Sequence, residues 1–449
     1  MTLRVAGGTE YDVEVSAVTE SGERVVDAIT SEYIPIDVDP ADPQRLVGAH
    51  YYPWYEMADG HRNWTDRVVS RPALGEYASD SERIVDRHVA WSLAHGIRWW
   101  SISWWGAGSG TDVALRETVL EADRVDELEF SVLYETVGRF GEFDLDMDRP
   151  GARRRLAADL TYLENEYFHR DNYLHIDGRP VVYFYVAGGL EGDVAGAFDA
   201  AAADLDVDPY VLAGVPFGRP PTGPVMAVAD GLSPYNPYDA REDIETVFHD
   251  RYEAGNKMLD LGARAADVDM IPVVIPGYDD TGLPARIRED NPVLSASPER
   301  FERVCDQVNP HLADAPAVLV TSFNEWYEDT QIEPDETHGE AYLDTVAAKL
   351  ASADSRGFDP TGAMLEMEFD RAIQPDGSSR HLSFMATRIA FAADGRSLVS
   401  YDIGGSPEPL YVGECTTPNP TTARRGGGSA ARMRRRACSS MRTSRARTR

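Results

Sequence analysis

Lysine is all but missing from this chain of 449 residues, which holds only Lys257 and Lys349. Cysteine is scarce as well: Cys305, Cys415 and Cys438 form no CxxC pair and no even set, which excludes a disulfide scaffold and a thiolate zinc site. The ten histidines are scattered and no HExxH occurs, so neither a metal nor another cofactor is expected. No run of about 18 apolar residues is present to span a bilayer. No GxGxxG follows the first apolar run, which argues against a dinucleotide-binding open sheet.

What is abundant is negative charge. Asp and Glu number 76 against 43 Lys and Arg, a net charge of -33. The acids are spread along the chain rather than gathered in one block, so they read as a whole surface and not as a tail. Carboxylates with almost no lysine are the surface of a halophile: such a chain stays solvated in molar salt, where its self-repulsion is screened. The same field repels nucleic acid. With 43% hydrophobic and 27% charged residues the chain is globular, and long enough to bury a large core.

The two ends differ from the middle. At the start, Tyr11, Val13, Val15 and Ala17 alternate with polar residues, Ser21-Gly22 turns the chain, and a second run follows from Val25 to Tyr33. This pair, within residues 1–36, resembles the last hairpin of a fibronectin type III domain. Two strands make no sandwich, so the expectation is a domain whose earlier strands, and any export signal, lie upstream. Residues 416–449 hold ten arginines and no acid, and their apolar content collapses. Two readings stand: translation out of frame, or a basic nucleic-acid arm.

Between the ends run eight apolar β-like stretches: Leu46–Tyr52, Ile97–Trp104, Phe130–Tyr134, Val181–Val186, Tyr210–Val215, Gly231–Tyr235, Met270–Ile275 and Ala317–Phe323. Helical periodicity fills most of the gaps; in Ser81–His95, for instance, Ile84, Val85, His88, Trp91 and Ser92 fall on one face. Eight strands buried on both sides and separated by helices predict an α/β fold, a (β/α)8 TIM barrel, over residues 45–353. After Arg356 the period changes to strands at Ala363–Phe369, His381–Phe391, Ser397–Tyr401 and Pro409–Val412, a small β domain over 357–415.

A barrel of this kind carries its active site at the carboxyl ends of its strands. Those ends are aromatic and acidic here: His50 to Tyr55 after the first, Trp104-Trp105-Gly106 after the second, Tyr134-Glu135 after the third, Tyr183 and Tyr185 in the fourth. Tyr235 and Tyr238, then Tyr278-Asp279-Asp280, then Asn324-Glu325-Trp326-Tyr327-Glu328 complete the series. Indole and phenol rings stack on the C–H faces of pyranoses, while hydroxyls, amides and carboxylates take the sugar hydroxyls. The expected partner is therefore an oligo- or polysaccharide. Tyr51, Tyr52, Trp54, Trp104, Trp105, Glu135, Tyr235, Tyr278, Asp279, Asn324 and Trp326 are the candidate binding residues, although any one aromatic could equally be core. Glu135 is either a hydroxyl ligand, a partner of Glu325, or a buried structural carboxylate. Glu325 and Glu328 stand three apart directly after the eighth strand. Glycoside hydrolysis needs one carboxyl to protonate the leaving oxygen and another to act as base or nucleophile.

FNEWYEDTQIEP at Phe323–Pro334, HYYPWY at His50–Tyr55, the Trp100–Gly106 run, YET at Tyr134 and PGYDDT at Pro276 together resemble glycoside hydrolase family 99. This is the endo-α-mannosidase and endo-α-mannanase family, and the resemblance extends over about residues 46–353. The family's motif has the form WNEWHEGTQIEP, so the departures are Phe323, Tyr327 and Asp329, while both glutamates and Asn324 are kept. The resemblance implies endo-acting hydrolysis of α-mannosidic linkages, α-1,2 above all, with retention through a 1,2-anhydro sugar. Glu325 would deprotonate the sugar 2-hydroxyl, and Glu328 would protonate the leaving oxygen and then activate water. An ordinary carboxylate nucleophile would use the same two residues. The full-length product is expected outside the cell or on its surface. The alternative is a non-hydrolytic relative that binds glycans or serves polysaccharide biosynthesis.

Overall fold

A computed structural model of the chain describes residues 43, 45–56, 64, 68–140, 145–238, 242–283 and 292–351 in full, and the backbone of four strands outside them. The chain divides into two units, Met1–Asp359 and Pro360–Arg449. In the first unit, Thr9–Val18 pairs antiparallel with Arg24–Ile34. In the second, Arg388–Ala393 pairs antiparallel with Arg396–Asp402, overlapping two of the four runs expected there. The runs at Ala363–Phe369 and Pro409–Val412 and the tail 416–449 lie outside the described residues.

The rest of the first unit is a parallel barrel. Its strands are β1 (Val47–Tyr51), β2 (Ile97–Trp104), β3 (Glu129–Tyr134), β4 (Arg179–Phe184), β5 (Tyr210–Gly214) and β6 (Gly231–Ser233). They are followed by β7, in two pieces at Asp269–Met270 and Val273–Val274, and by β8 (Val318–Val320). The ladder runs β6-β5-β4-β3-β2-β1-β8, and the two pieces of β7 stand at its two ends. Met270 pairs with Leu232 of β6, and Val273 with Leu319 of β8. Pro272 explains the break, since it has no N–H to give the ladder; its carbonyl still accepts from Leu319 N at 3.0 Å. One strand thus closes the ring by lending its first half to one neighbour and its second half to the other.

Helices follow most of the strands: α1 (Glu82–Ala94), inside the expected Ser81–His95 stretch, after β1, α2 (Gly110–Glu117) after β2, α3 (Thr136–Phe140) and α4 (Pro150–Leu163) after β3. Then come α5 (Val194–Ala202) after β4, α6 (Ile244–Ala266) after β6, α7 (Pro298–Val308) after β7 and α8 (Ala341–Val346) after β8. Starts are set by local chemistry: the Ser297 side chain accepts from Arg300 N ahead of Pro298, and Ser109 accepts from Asp112 N. After β5 there is only a single helical turn at Pro224–Ala227. The crossover is short on that side, and the loop from Val215 to Arg219 is left over the barrel mouth.

The strand period of two sorts the side chains into layers. Outward residues such as Ala49, Tyr51, Trp100, Ile102, Trp104, Val132 and Tyr134 form one buried layer with the helices. Inward residues, among them Trp99, Leu133, Val181, Tyr183, Tyr210, Leu212, Val273 and Leu319, fill the barrel. Gly48 makes room for this filling, because a Cβ there would overlap the Trp99 indole. A third cluster of Tyr52, Trp54, Tyr55, Trp64, Tyr77, Tyr235, Trp326 and Tyr327 caps the carboxyl end. No helix of the described residues is long and apolar enough to cross a membrane.

Candidate active site

The eighth strand runs into Thr321-Ser322-Phe323, and the segment from Asn324 to Glu328 then turns across the barrel mouth. Its first residue is fastened to the loop after β1: Asn324 Oδ1 accepts from Tyr52 N at 2.8 Å and Asn324 Nδ2 donates to Tyr52 O at 3.1 Å. Tyr55 holds the same segment from above, donating its hydroxyl to Asn324 O at 2.8 Å and accepting from Trp326 N at 2.9 Å. The peptides on both sides of Glu325 are therefore pinned. Glu325 is 3% exposed. Its own N–H donates to Ser322 Oγ at 2.7 Å, and its Oε1 accepts from Tyr327 N at 3.0 Å. Glu328 is more open. Its Oε2 accepts from the Tyr235 hydroxyl at 3.1 Å, and its main-chain O accepts from Asp279 N at 2.7 Å.

Tyr52 lies at the centre. Its hydroxyl donates to the Tyr235 hydroxyl at 2.7 Å, which makes a relay from Tyr52 through Tyr235 to Glu328. Burial pushes the Tyr52 phenol well above its ordinary range, and the charges of Glu135, Glu325 and Glu328 push it further. All three carboxylates therefore surround one hydroxyl. Tyr235 behaves alike: burial raises it first, then Glu328, Tyr52 and Glu325. Both phenols stay protonated at any working pH and act as donors. Glu135 enters from β3, accepting from Ser103 Oγ at 2.7 Å, and Ser103 in turn accepts from Trp105 Nε1 at 3.2 Å.

The doublets of aromatics divide between mouth and wall. Tyr52, Trp54 and Trp105 face the mouth, with the Trp54 ring 4.5 Å from Tyr52 and 6.5 Å from Trp105. Trp105 is 38% exposed, and Ser103 links its indole N–H to Glu135. Three candidates are turned away. Tyr51 stacks on Trp100 at 4.2 Å and bonds His88 Nδ1 at 3.0 Å, in the layer beneath α1. Trp104 donates to Asp112 Oδ1 at 2.7 Å and stacks on Tyr162, on the helix side of β2. Trp326 is fully buried behind the loop and donates to Glu333 Oε2 at 2.9 Å. Asn324 has both ends of its amide committed to Tyr52 main chain and holds the loop. The alternation of strand residues accounts for Tyr51 and Trp104, while Trp326 is reversed by the turn of the loop itself. Tyr278 packs on Tyr238 at 5.2 Å, one residue away from the Asp279 that meets Glu328.

Several residues of the site escaped the sequence reading. Glu333 sits fully buried, accepting from the Tyr77 hydroxyl at 2.7 Å and from Trp326, with His88 Nε2 3.1 Å away. The signal for it was present, since Glu333 lies inside the quoted motif and His88 on the apolar face of α1. His50 points into the barrel, its ring 4.9 Å from Tyr183 and 5.3 Å from Tyr235, fully buried and without a hydrogen-bond partner at either nitrogen. Burial lowers its pKa to about 3, so it is neutral. Among the described residues, no group of three or more His, Cys, Asp or Glu is arranged to hold a metal ion.

A cavity of about 440 Å³ opens beside the glutamates rather than over them. Tyr235 is the shared wall: its hydroxyl serves Glu328 while its ring, with Tyr185 and Tyr238, lines the cavity, which is bounded on the other side by the loop after β5.

Several solved structures share the parallel barrel fold of this chain. A glycoside hydrolase family 99 endo-α-mannosidase from Bacteroides thetaiotaomicron, bound to bis-tris-propane, is 18% identical with a TM-score of 0.53, covering 69% of this chain and 96% of its own. A second structure of that enzyme gives 18% and 0.50, covering 67% and 95%. A glycoside hydrolase-like protein is 16% identical with a TM-score of 0.56, covering 71% of this chain and 97% of its own. A family model described as Glycosyltransferase WbsX matches residues 236–346. No curated protein matches the chain.

Proposed function

We propose that this chain is a retaining, endo-acting glycoside hydrolase that cleaves α-mannosidic linkages, most readily α-1,2, with Glu325 and Glu328 as its catalytic pair. The observation that carries the reading is the pinned loop after β8, which holds one glutamate buried and the other half-buried and tied to a phenol relay, beside an exposed tryptophan. Two carboxylates in different surroundings are what acid–base work on an acetal requires.

In the mechanism the family resemblance implies, Glu325 takes the proton of the sugar 2-hydroxyl as that oxygen bonds to the anomeric carbon. The bond from that carbon to the leaving oxygen breaks, and Glu328 gives the leaving oxygen its proton. The product of this step is a 1,2-anhydro sugar. Glu328, now a carboxylate, takes a proton from water as the water oxygen attacks the anomeric carbon, and Glu325 returns its proton to O2. Two inversions leave the configuration retained. Tyr235 supports Glu328 in the carboxylate state by donating to it, and Trp105 offers its face to a sugar ring.

A second reading is transfer of the glycosyl group to an acceptor hydroxyl instead of water, and the Glycosyltransferase WbsX match over residues 236–346 favours it. Reducing ends released from α-1,2-mannan in about molar KCl, where self-repulsion is screened, test the first. Activity lost in both Glu325→Gln and Glu328→Gln with unchanged circular dichroism supports hydrolysis by this pair. A folded parent that releases no reducing ends but elongates a mannoside acceptor replaces hydrolysis with transfer.

A further inference from the structure

The cavity on the far side of Tyr235 has a chemistry unlike the rest of the molecule. Tyr185, Tyr235, Tyr238 and Phe217 are among its lining residues, and the rings of Tyr185 and Tyr235 meet edge to face at 5.1 Å. In a chain that carries 76 acids, no Asp or Glu of the described residues lines it. The charge it does have is positive: Arg219, exposed at its lip on the loop after β5, with no carboxylate bonded to it among the described residues. Asn236 is part of the lining as well. The volume of about 440 Å³ admits a pyranose ring with room for its substituents.

We infer that this cavity is a subsite for a sugar ring bearing a carboxylate, a uronic acid residue, whose acid group is held by Arg219. The inference rests on the reading of Glu325 and Glu328 as the catalytic pair only for its place in a substrate. Because Tyr235 separates the cavity from Glu328, the proton donor, the uronate lies on the leaving-group side. A neutral ring would find the same aromatic walls but no use for the guanidinium. An acidic ring placed anywhere else at the mouth would meet Glu135, Glu325 and Glu328. The fork of an arginine matches a carboxylate with two parallel hydrogen bonds, which outlast salt better than a point-charge contact does.

The test is a matched pair of probes, methyl α-D-mannopyranosiduronate and methyl α-D-mannopyranoside, which differ only in carboxylate against hydroxymethyl. Their Kd values are measured by ligand-observed NMR on the full chain in about molar KCl. The uronate is expected to bind at least about fivefold more tightly than the mannoside. Arg219→Gln, a change at an exposed side chain, removes that preference and leaves mannoside binding as it was. Equal affinities in the parent, a preference that survives Arg219→Gln, or no uronate binding at about 50 mM overturns the inference. Binding needs no turnover, so a chain that hydrolyses nothing still decides the question. A chain that cleaves neutral mannan but ignores the uronate loses this subsite and keeps its proposed function.

Discussion

His50 gives the fold a pH dependence that can be calculated and isolated. Its imidazole is wholly buried inside the barrel with neither nitrogen hydrogen-bonded, and burial holds its pKa near about 3 against an ordinary value of 6.5. Because the folded value is the lower one, the unfolded chain binds a proton that the native state refuses at every pH between the two. Stability therefore falls as pH drops from 6.5 towards about 3. Each pH unit within that window costs about 1.4 kcal/mol, so lowering the pH from about 7.5 to about 4.5 removes about 3 kcal/mol through this residue alone. His50→Leu keeps the volume similar and cannot titrate. Urea unfolding in about 2 M KCl at both pH values, for parent and variant, gives two differences whose difference is the His50 contribution. The expected value is about 3 kcal/mol, with the parent losing more on acidification. Other titrating carboxylates cancel in the comparison, as do losses of contact with Tyr183 that are the same at both pH values. If parent and variant lose stability equally on acidification, His50 is not the isolated neutral group described here.

Tyr235→Phe deletes the donor to Glu328 and leaves the ring against Tyr185; a lost hydrogen bond to a charged acceptor predicts a kcat/KM lower by about 10- to 100-fold with an unchanged circular dichroism spectrum. A loss under about threefold would detach the relay from the chemistry. Asp329 has a left-handed φ of 51°, and burial raises its carboxyl above the ordinary range. The native state holds this proton to higher pH than the unfolded chain does, so ionisation costs stability at high pH. Asp329→Asn should therefore stabilise at about pH 8 and gain nothing from charge at about pH 4, in thermal melts at both values. Glu333→Ala strands His88, the Tyr77 hydroxyl and the Trp326 indole in a buried place, and a loss of about 3–5 kcal/mol is expected. A melting shift smaller than about 3 °C would show the network to be dispensable.

The barrel was legible because its strands are continuous apolar runs set off by helical periods, and each of the eight runs overlaps an observed strand. What the periodicity could not supply was the count of crossover helices. The short turn after β5 follows from Pro216, Pro220, Pro221 and Pro224, which leave little room for a longer helix. The site was legible at the level of the loop and less so at the level of the side chain. Neighbouring strand residues point to opposite faces, so a doublet such as Tyr51-Tyr52 announces one mouth residue and one wall residue without a label. Composition treats both as aromatic, and only the direction of the strand and the identity of the helix behind it tell them apart. His50 shows the same ambiguity from the other side: it lies next to Tyr51 in sequence and opposite to it in space.

The loop after β8 also explains what the departures from the family motif touch. Along Asn324 to Glu333 successive side chains go to different neighbours: Asn324 to the Tyr52 main chain, Trp326 to Glu333, Tyr327 to a stack on Tyr55 at 5.7 Å, Glu328 to Tyr235. Thr330 bonds Ser322 at 2.9 Å and so closes the turn at its base. Tyr327, which stands where the family motif has His, meets Glu325 through its backbone N–H, a contact that any residue but proline supplies. Asp329, where the motif has Gly, takes the positive φ that glycine adopts freely, at a cost in strain and in a buried carboxyl. Phe323, where the motif has Trp, faces Tyr51, His88 and Trp100 in the layer behind β1 and β2. All three departures alter how the loop is packed.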